Sequence, residues 1–231
     1  MPATADSLPI STAPSFAAAM ARPLSGLTVL LVEDSRFASE AMRLLCLNAG
    51  ARIRRADCIH AARRHLCVYR PHVVIVDLGL PDGMGEDLIA DLHRATPRID
   101  VILATSGNDD AEDRAIAAGA DGFLAKPLTN LAQFQQAILR HLPDMHTGPQ
   151  LVTGQTVTPD VFALNEDIRA VCDDLRAGRS DRAYLRQFLT GLSRLSPDSP
   201  ASEAAEMIRD GAPTAAILDV LTPHLANARP V

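Results

Sequence analysis

From position 27 onward this sequence repeats one pattern five times: a short aliphatic run, then a stretch with helical periodicity. The aliphatic runs are 27–32, 73–76, 99–104 and 123–125, and 51–55, with three arginines, is the one weak strand of the five. Apolar residues at helical spacing follow each one, at about 36–49, 58–69, 86–95, 110–118 and 131–141. Gly50 and Gly119 stand where the first and fourth helices should close, as glycine C-caps do, and Leu80-Pro81-Asp82-Gly83 reads as a loop. Successive parallel strands need a crossover long enough to hold a helix. Five strands, each followed by a helix, therefore predict α/β: a doubly wound five-stranded parallel sheet with helices on both faces.

After Pro143 the pattern ends. A Pro-, Thr-, Gly- and Gln-rich stretch, 143–158, reads as a linker. Four helical candidates follow, opened at Thr158-Pro159-Asp160, Ser180-Asp181, Ser199-Pro200 and Pro213. The expected division is a disordered N-terminal extension over 1–24, the α/β domain over 25–142, the linker over 143–158 and a small all-α region over 159–231. Pro9 and Pro14 interrupt the first segment and no basic stretch precedes its alanines, so it does not read as a signal peptide. Met20 could itself be the start. Hydrophobic residues make up 47% against 22% charged, enough for a core, and with 3% aromatics and no Trp that core must be aliphatic. No apolar run approaches the roughly 20 residues that a membrane span needs. Cys46, Cys58, Cys67 and Cys172 form no CxxC pair and no zinc-ligand spacing, so each is expected as a small, partly buried residue in a reducing, cytoplasmic compartment.

In an open α/β sheet, functional groups gather at the carboxyl ends of the strands. The residues there are Glu33 and Asp34, Asp77, Thr105, and Lys126 with Pro127. Four segments carry a resemblance: Leu31-Val32-Glu33-Asp34-Ser35, Val76-Asp77-Leu78-Gly79-Leu80-Pro81-Asp82-Gly83, Ala104-Thr105-Ser106-Gly107, and Gly119-Ala120-Asp121-Gly122-Phe123-Leu124-Ala125-Lys126-Pro127. In this order, over about 25–142, they resemble the receiver domain of two-component response regulators, a flavodoxin-like, chemotaxis-regulator-like fold.

The resemblance implies a phosphorelay. Asp77 would accept a phosphoryl group from a histidine kinase or a histidine phosphotransfer protein. Asp34 and Asp77, with the Gly79 backbone carbonyl, would bind Mg²⁺ directly, and Glu33 through water. Lys126 would pair with one phosphoryl oxygen and the Thr105 hydroxyl with another. Phe123 would respond to Thr105 as a switch through packing, and Pro127 would support a cis peptide. Such a protein is a phosphoacceptor with self-catalysed transfer and dephosphorylation only, not a dedicated enzyme.

The residue types suit the chemistry. A carboxylate can form an acyl phosphate, three close carboxylates repel one another, and Mg²⁺ prefers oxygen ligands. Plainer alternatives stand beside each. Asp34-Ser35 could simply cap the next helix, Asp77 could be a turn residue, Thr105-Ser106-Gly107 a loop, and Phe123 a core aromatic. Lys126 has a separate argument: it is the only lysine among 22 basic residues, and it stands where a compact ammonium is wanted beside a phosphoryl group.

The net charge of −6 gives no reason to approach nucleic acid or an anionic membrane. From 143 onward there are 8 Arg, no Lys and 12 acidic residues, a net of −4. The preferred reading of the tail is therefore a module that meets a downstream protein or a second copy of itself. It would lie beside the face formed by the fourth helix, fifth strand and fifth helix, with Leu185, Phe188 and Leu192 as a docking stripe. The alternative is a transcriptional regulator with a divergent helix-turn-helix around 177–194.

Overall fold

The computed structural model describes residues 22–108, 110–142 and 155–226. Of the disordered extension expected over 1–24, residues 1–21, with Met20, lie outside the described residues, as does most of the linker, 143–154. Leu24 instead belongs to the fold, buried in the core with its amide bonded to the Ala49 carbonyl. Five strands form one parallel sheet: β1 (Thr28–Val32), β2 (Arg52–Ala56), β3 (Val73–Asp77), β4 (Val101–Ser106) and β5 (Gly122–Ala125). Their order across the sheet is β2-β1-β3-β4-β5. The connecting helices are α1 (Arg36–Ala49), α2 (Ile59–Val68), α3 (Gly85–Arg94), α4 (Ala111–Ala118) and α5 (Leu131–Leu139).

Every residue of β3 and β4 is buried, as expected of central strands covered on both faces. Side chains alternate between the faces. Val29, Leu31 and Ile75 join Leu45, Phe134 and Ile138 of α1 and α5 on one side. Leu30, Val74 and Val76 join Ala62, Leu88, Ile89 and Ala115 of α2, α3 and α4 on the other. Gly50 and Gly119 close their helices at φ of 89° and 104°, in the left-handed region that glycine enters without strain.

The segment read as a plain loop, 80–83, carries a small antiparallel ribbon pairing Gly79 with Met84 and Leu80 with Gly83. Its Asp82 carboxylate accepts from the amides of Ile59 and His60, both at 2.9 Å, so the turn is tied to the start of α2. The linker also ends earlier than expected. Gln155 and Thr129 carbonyls exchange bonds with the Leu131 and Val157 amides, and Val157 is buried in the core beside α5. An apolar side chain with a ready pocket overrides the loop-like composition around it. Cys67 is exposed on the outer face of α2, in contrast to the partly buried setting expected of it, while Cys46 and Cys172 are buried.

Four further helices follow: α6 (Val161–Ala177), α7 (Arg182–Leu195), α8 (Ala201–Arg209) and α9 (Thr214–Ala226). Asp160 and Asp181 cap α6 and α7 through the Phe162 and Ala183 amides. The four helices share a third core around Ile168, Cys172, Leu189, Ile217 and Leu221. Phe37, from α1 of the α/β domain, is buried in that core too. No helix among the described residues is long and apolar enough to cross a membrane.

Candidate functional site

Parallel register brings the sequence-predicted residues to one edge. Asp77 is the last residue of β3 and pairs with Thr105 of β4, while Glu33, Asp34 and Lys126 follow the neighbouring strand ends. Carboxylate oxygens of Glu33, Asp34 and Asp77 lie within 4.8 Å of one another. The Lys126 ammonium reaches across the gap, 2.6 Å from Glu33 Oε2 and 2.8 Å from Asp77 Oδ2. The Lys126–Pro127 peptide is cis. Gly79 donates its amide to Asp77 Oδ1 at 3.3 Å. The Thr105 hydroxyl is buried and donates to the Leu124 carbonyl at 2.8 Å. Phe123 is half-buried and packs on the core beneath α3 and α4.

Local structure holds the acidic loop still. Ser35 caps α1 through the Ala38 amide, so the plainer reading of Asp34-Ser35 holds for the serine. Arg55, on edge strand β2, donates to the Glu33 carbonyl at 3.1 Å and the Asp34 carbonyl at 2.7 Å. Sequence reasoning missed this residue; its signal was a basic side chain on the strand paired beside the acidic pair.

Burial is the main reason the Glu33 carboxyl is driven up, to about 8; Lys126 opposes the rise, and Asp77 and Asp34 add to it. Burial followed by the Asp77 charge raises Asp34 to about 6. Burial works against the Lys126 ammonium, but Asp77 and Glu33 outweigh it and hold the amine charged above the ordinary lysine range. A raised carboxyl pKa means that the folded chain keeps protons that the unfolded chain has already released. The contribution is therefore present at low pH and is lost as pH rises through the folded values of about 6 and about 8. In chelator, the unfolding midpoint should fall between about pH 5.5 and about pH 8.5, at about 2–4 °C per kcal/mol lost. Glu33→Gln should flatten that slope; an unchanged slope would show that the cluster carries no strain.

The tail sits elsewhere than the sequence led us to expect. It packs on α1 and over the carboxyl edge, not beside α4, β5 and α5. Leu185 and Leu192, expected to dock outward, are buried in the tail's own core. The decisive side chains were the polar ones. The Tyr184 hydroxyl donates to Asp34 Oδ2. Gln187 fills the space beside Gly79, where an added Cβ would overlap its side-chain amide. Asp167, 2% exposed, accepts from the Ser35 hydroxyl at 2.8 Å and from the Arg36 and Phe37 amides at 2.9 and 3.0 Å. These contacts span over 100 residues of chain, and no local spacing signals them. Between α7 and the acidic cluster about 30 Å³ of open space remains, bounded by Glu33, Asp77, Lys126, Gln187 and Phe188.

Known proteins resemble this chain over its α/β domain. The model of the response regulator receiver domain matches residues 29–139. The chain is 30% identical over 138 residues to the KDP operon transcriptional regulatory protein KdpE of Escherichia coli strain K12, covering 58% of this chain and 61% of KdpE. It is 28% identical over 116 residues to the transcriptional regulatory protein PhoP of Escherichia coli O157:H7, covering 48% and 52%. The matches thus span little more than half the length of these relatives. Among solved structures, the signal receiver domain of the DNA binding response regulator protein (merR) from Colwellia psychrerythraea 34H is 28% identical, with a TM-score of 0.44, covering 49% of this chain and 96% of that one. Residues 29–139 are thus a response regulator receiver domain.

Proposed function

We propose that this protein is a phosphorelay response regulator whose Asp77 accepts a phosphoryl group, with Mg²⁺, from a histidine kinase or histidine phosphotransfer protein. The observation that carries this reading is the buried Asp77 carboxylate held against Glu33, Asp34 and Lys126 at the sheet's carboxyl edge. The donor set suits a hard divalent cation: three carboxylates crowded within 4.8 Å resist joint ionisation, and oxygen ligands are what Mg²⁺ selects. Asp34, Asp77 and the Gly79 carbonyl would hold the ion directly and Glu33 through water. When bound, it neutralises charge on the oxygens of the phosphoryl group in transfer.

The chain's own residues do the rest. An Asp77 oxygen forms the new O–P bond as the N–P bond to the donor histidine breaks, and the freed imidazole leaves with the electron pair. Lys126, now paired with Asp77 Oδ2, turns its charge to a phosphoryl oxygen. The Thr105 hydroxyl exchanges the Leu124 carbonyl for another phosphoryl oxygen, and Phe123 follows through packing. The receiver, with 155–157 bonded beside α5, then passes the change to the helical module of 159–231. That module would meet a downstream protein or a second copy in the cytoplasm. The chain's only catalysis would be its own phosphorylation and dephosphorylation.

With Mg²⁺ and excess acetyl phosphate, prolonged incubation should add one phosphoryl group by intact mass. Asp77→Asn should abolish the gain; a gain that survives in that variant identifies a different nucleophile. The names of KdpE and PhoP favour a second reading, a transcriptional regulator. Against it, the helix that would enter a DNA groove, α7, turns Leu185 and Leu189 into the tail core and Tyr184 onto the receiver. A sequence-specific gel shift at physiological salt would establish that reading over the protein-interaction one.

A further inference from the structure

The helical tail covers the very carboxylates that phosphoryl transfer requires. An attacking Asp77 oxygen needs the incoming phosphorus and its leaving group roughly in line. The space left under α7, about 30 Å³, holds about one or two waters. It does not hold a phosphodonor, still less the face of a donor protein. Tyr184 is also bonded to Asp34 Oδ2, on a carboxylate that would hold the cation. We propose that α7 is a gate closed over Asp77 by Tyr184 and Gln187 and anchored through Asp167, so that docking of the tail and phosphorylation of Asp77 exclude each other. This inference rests on the phosphoacceptor reading of Asp77.

The division between anchor and gate is visible in the contacts. On α6, Asp167 is buried and satisfied by three donors of the receiver, and Phe37 of α1 inserts into the tail core beside that helix. These contacts hold the module to α1. On α7 the contacts to the acidic loop and Gly79 include a phenol hydroxyl and an amide, groups that water can serve as well; Gly191 and Arg194 lie beside Gly107, while Leu185 and Leu189 face the tail's own core. Lifting α7 from the site therefore leaves its apolar face packed. Gly79 fits this arrangement, since any side chain there would collide with Gln187. Exclusion works in both directions. A docked α7 disfavours the phosphorylated state, and a phosphoryl group at Asp77 must weaken docking by the same equilibrium factor, because the coupling of two equilibria is reciprocal.

The test uses the full chain with Mg²⁺ and acetyl phosphate. A Tyr184→Phe, Gln187→Ala double variant should gain the phosphoryl group at least about tenfold faster than wild type, a coupling in the usual range for linked sites. Asp167→Ala, which loosens the anchor from outside the acidic cluster, should also accelerate the gain, with far-UV circular dichroism confirming that both variants fold. As a second readout, amide hydrogen exchange across 182–195 should rise in the phosphorylated wild type and stay unchanged in Asp77→Asn treated alike. Equal rates in wild type and both variants, or unaltered exchange after phosphorylation, would overturn the gate while leaving Asp77 as the acceptor. Failure of every chain to take up phosphoryl would remove the acceptor reading and the gate with it.

Discussion

Lys126→Met should destabilise the folded chain by about 3–5 kcal/mol at pH 8, the usual cost of stripping one partner from a buried ion pair. The side chain is only 9% exposed and stands within 2.8 Å of two carboxylates. Methionine fills a similar volume, so the loss is electrostatic, not a cavity. Without the ammonium, Glu33 and Asp77 keep their mutual repulsion and lose their shared counter-charge. The deficit should therefore shrink as pH falls and Glu33 takes up its proton, and millimolar Mg²⁺ should recover part of it at pH 8. Denaturant titrations at the two pH values, with and without the cation, measure all three effects. A deficit that is the same at both would assign Lys126 a packing role only.

Phe37→Ala should cost about 3–5 kcal/mol, and the loss should fall on the tail, not on the α/β domain. Phe37 is 4% exposed and sits in the tail's core, apart from both clusters that flank the sheet. Its removal opens a cavity among Leu164, Ile168 and their neighbours without touching the contacts of β1, β3 and α5. A single unfolding transition in the wild type should separate into two, the tail melting first. Hydrogen exchange should rise in α6 and α7 and hold steady in β3 and β4. Uniform loss of protection across both regions would show that the two cores fold as one.

The α/β half was legible in the sequence because its signals are local. Aliphatic runs, glycine caps at Gly50 and Gly119, and the Ser35 and Asn130 caps of α1 and α5 all act within a few residues of where they stand. The site was legible for a related reason. Parallel strands bring their carboxyl ends to one edge, so Glu33, Asp34, Asp77, Thr105 and Lys126 converge once the alternation is recognised. The position of the tail was not legible, because its determinants are polar side chains whose partners lie far away in the chain. Tyr184 reads with the apolar residues of its helix, Gln187 belongs to no motif, and Asp167 is one acid among many in α6. The apolar stripe of Leu185 and Leu192 was real, but an apolar stripe does not say which core will bury it. Here it closed the tail's own core and left the polar face to meet the receiver.

The Asp167 carboxylate that holds α1 lies 130 to 132 residues downstream of the donors it accepts from. Chains grow at roughly 5–20 residues per second and domains fold as units during synthesis. On the order of ten seconds must then pass between the appearance of Ser35 and that of Asp167. Through that interval α1 relies on its own serine cap, Phe37 stands bare, and Asp77 has no helix above it. The receiver thus passes through an uncovered form each time the protein is made, before α7 has been translated.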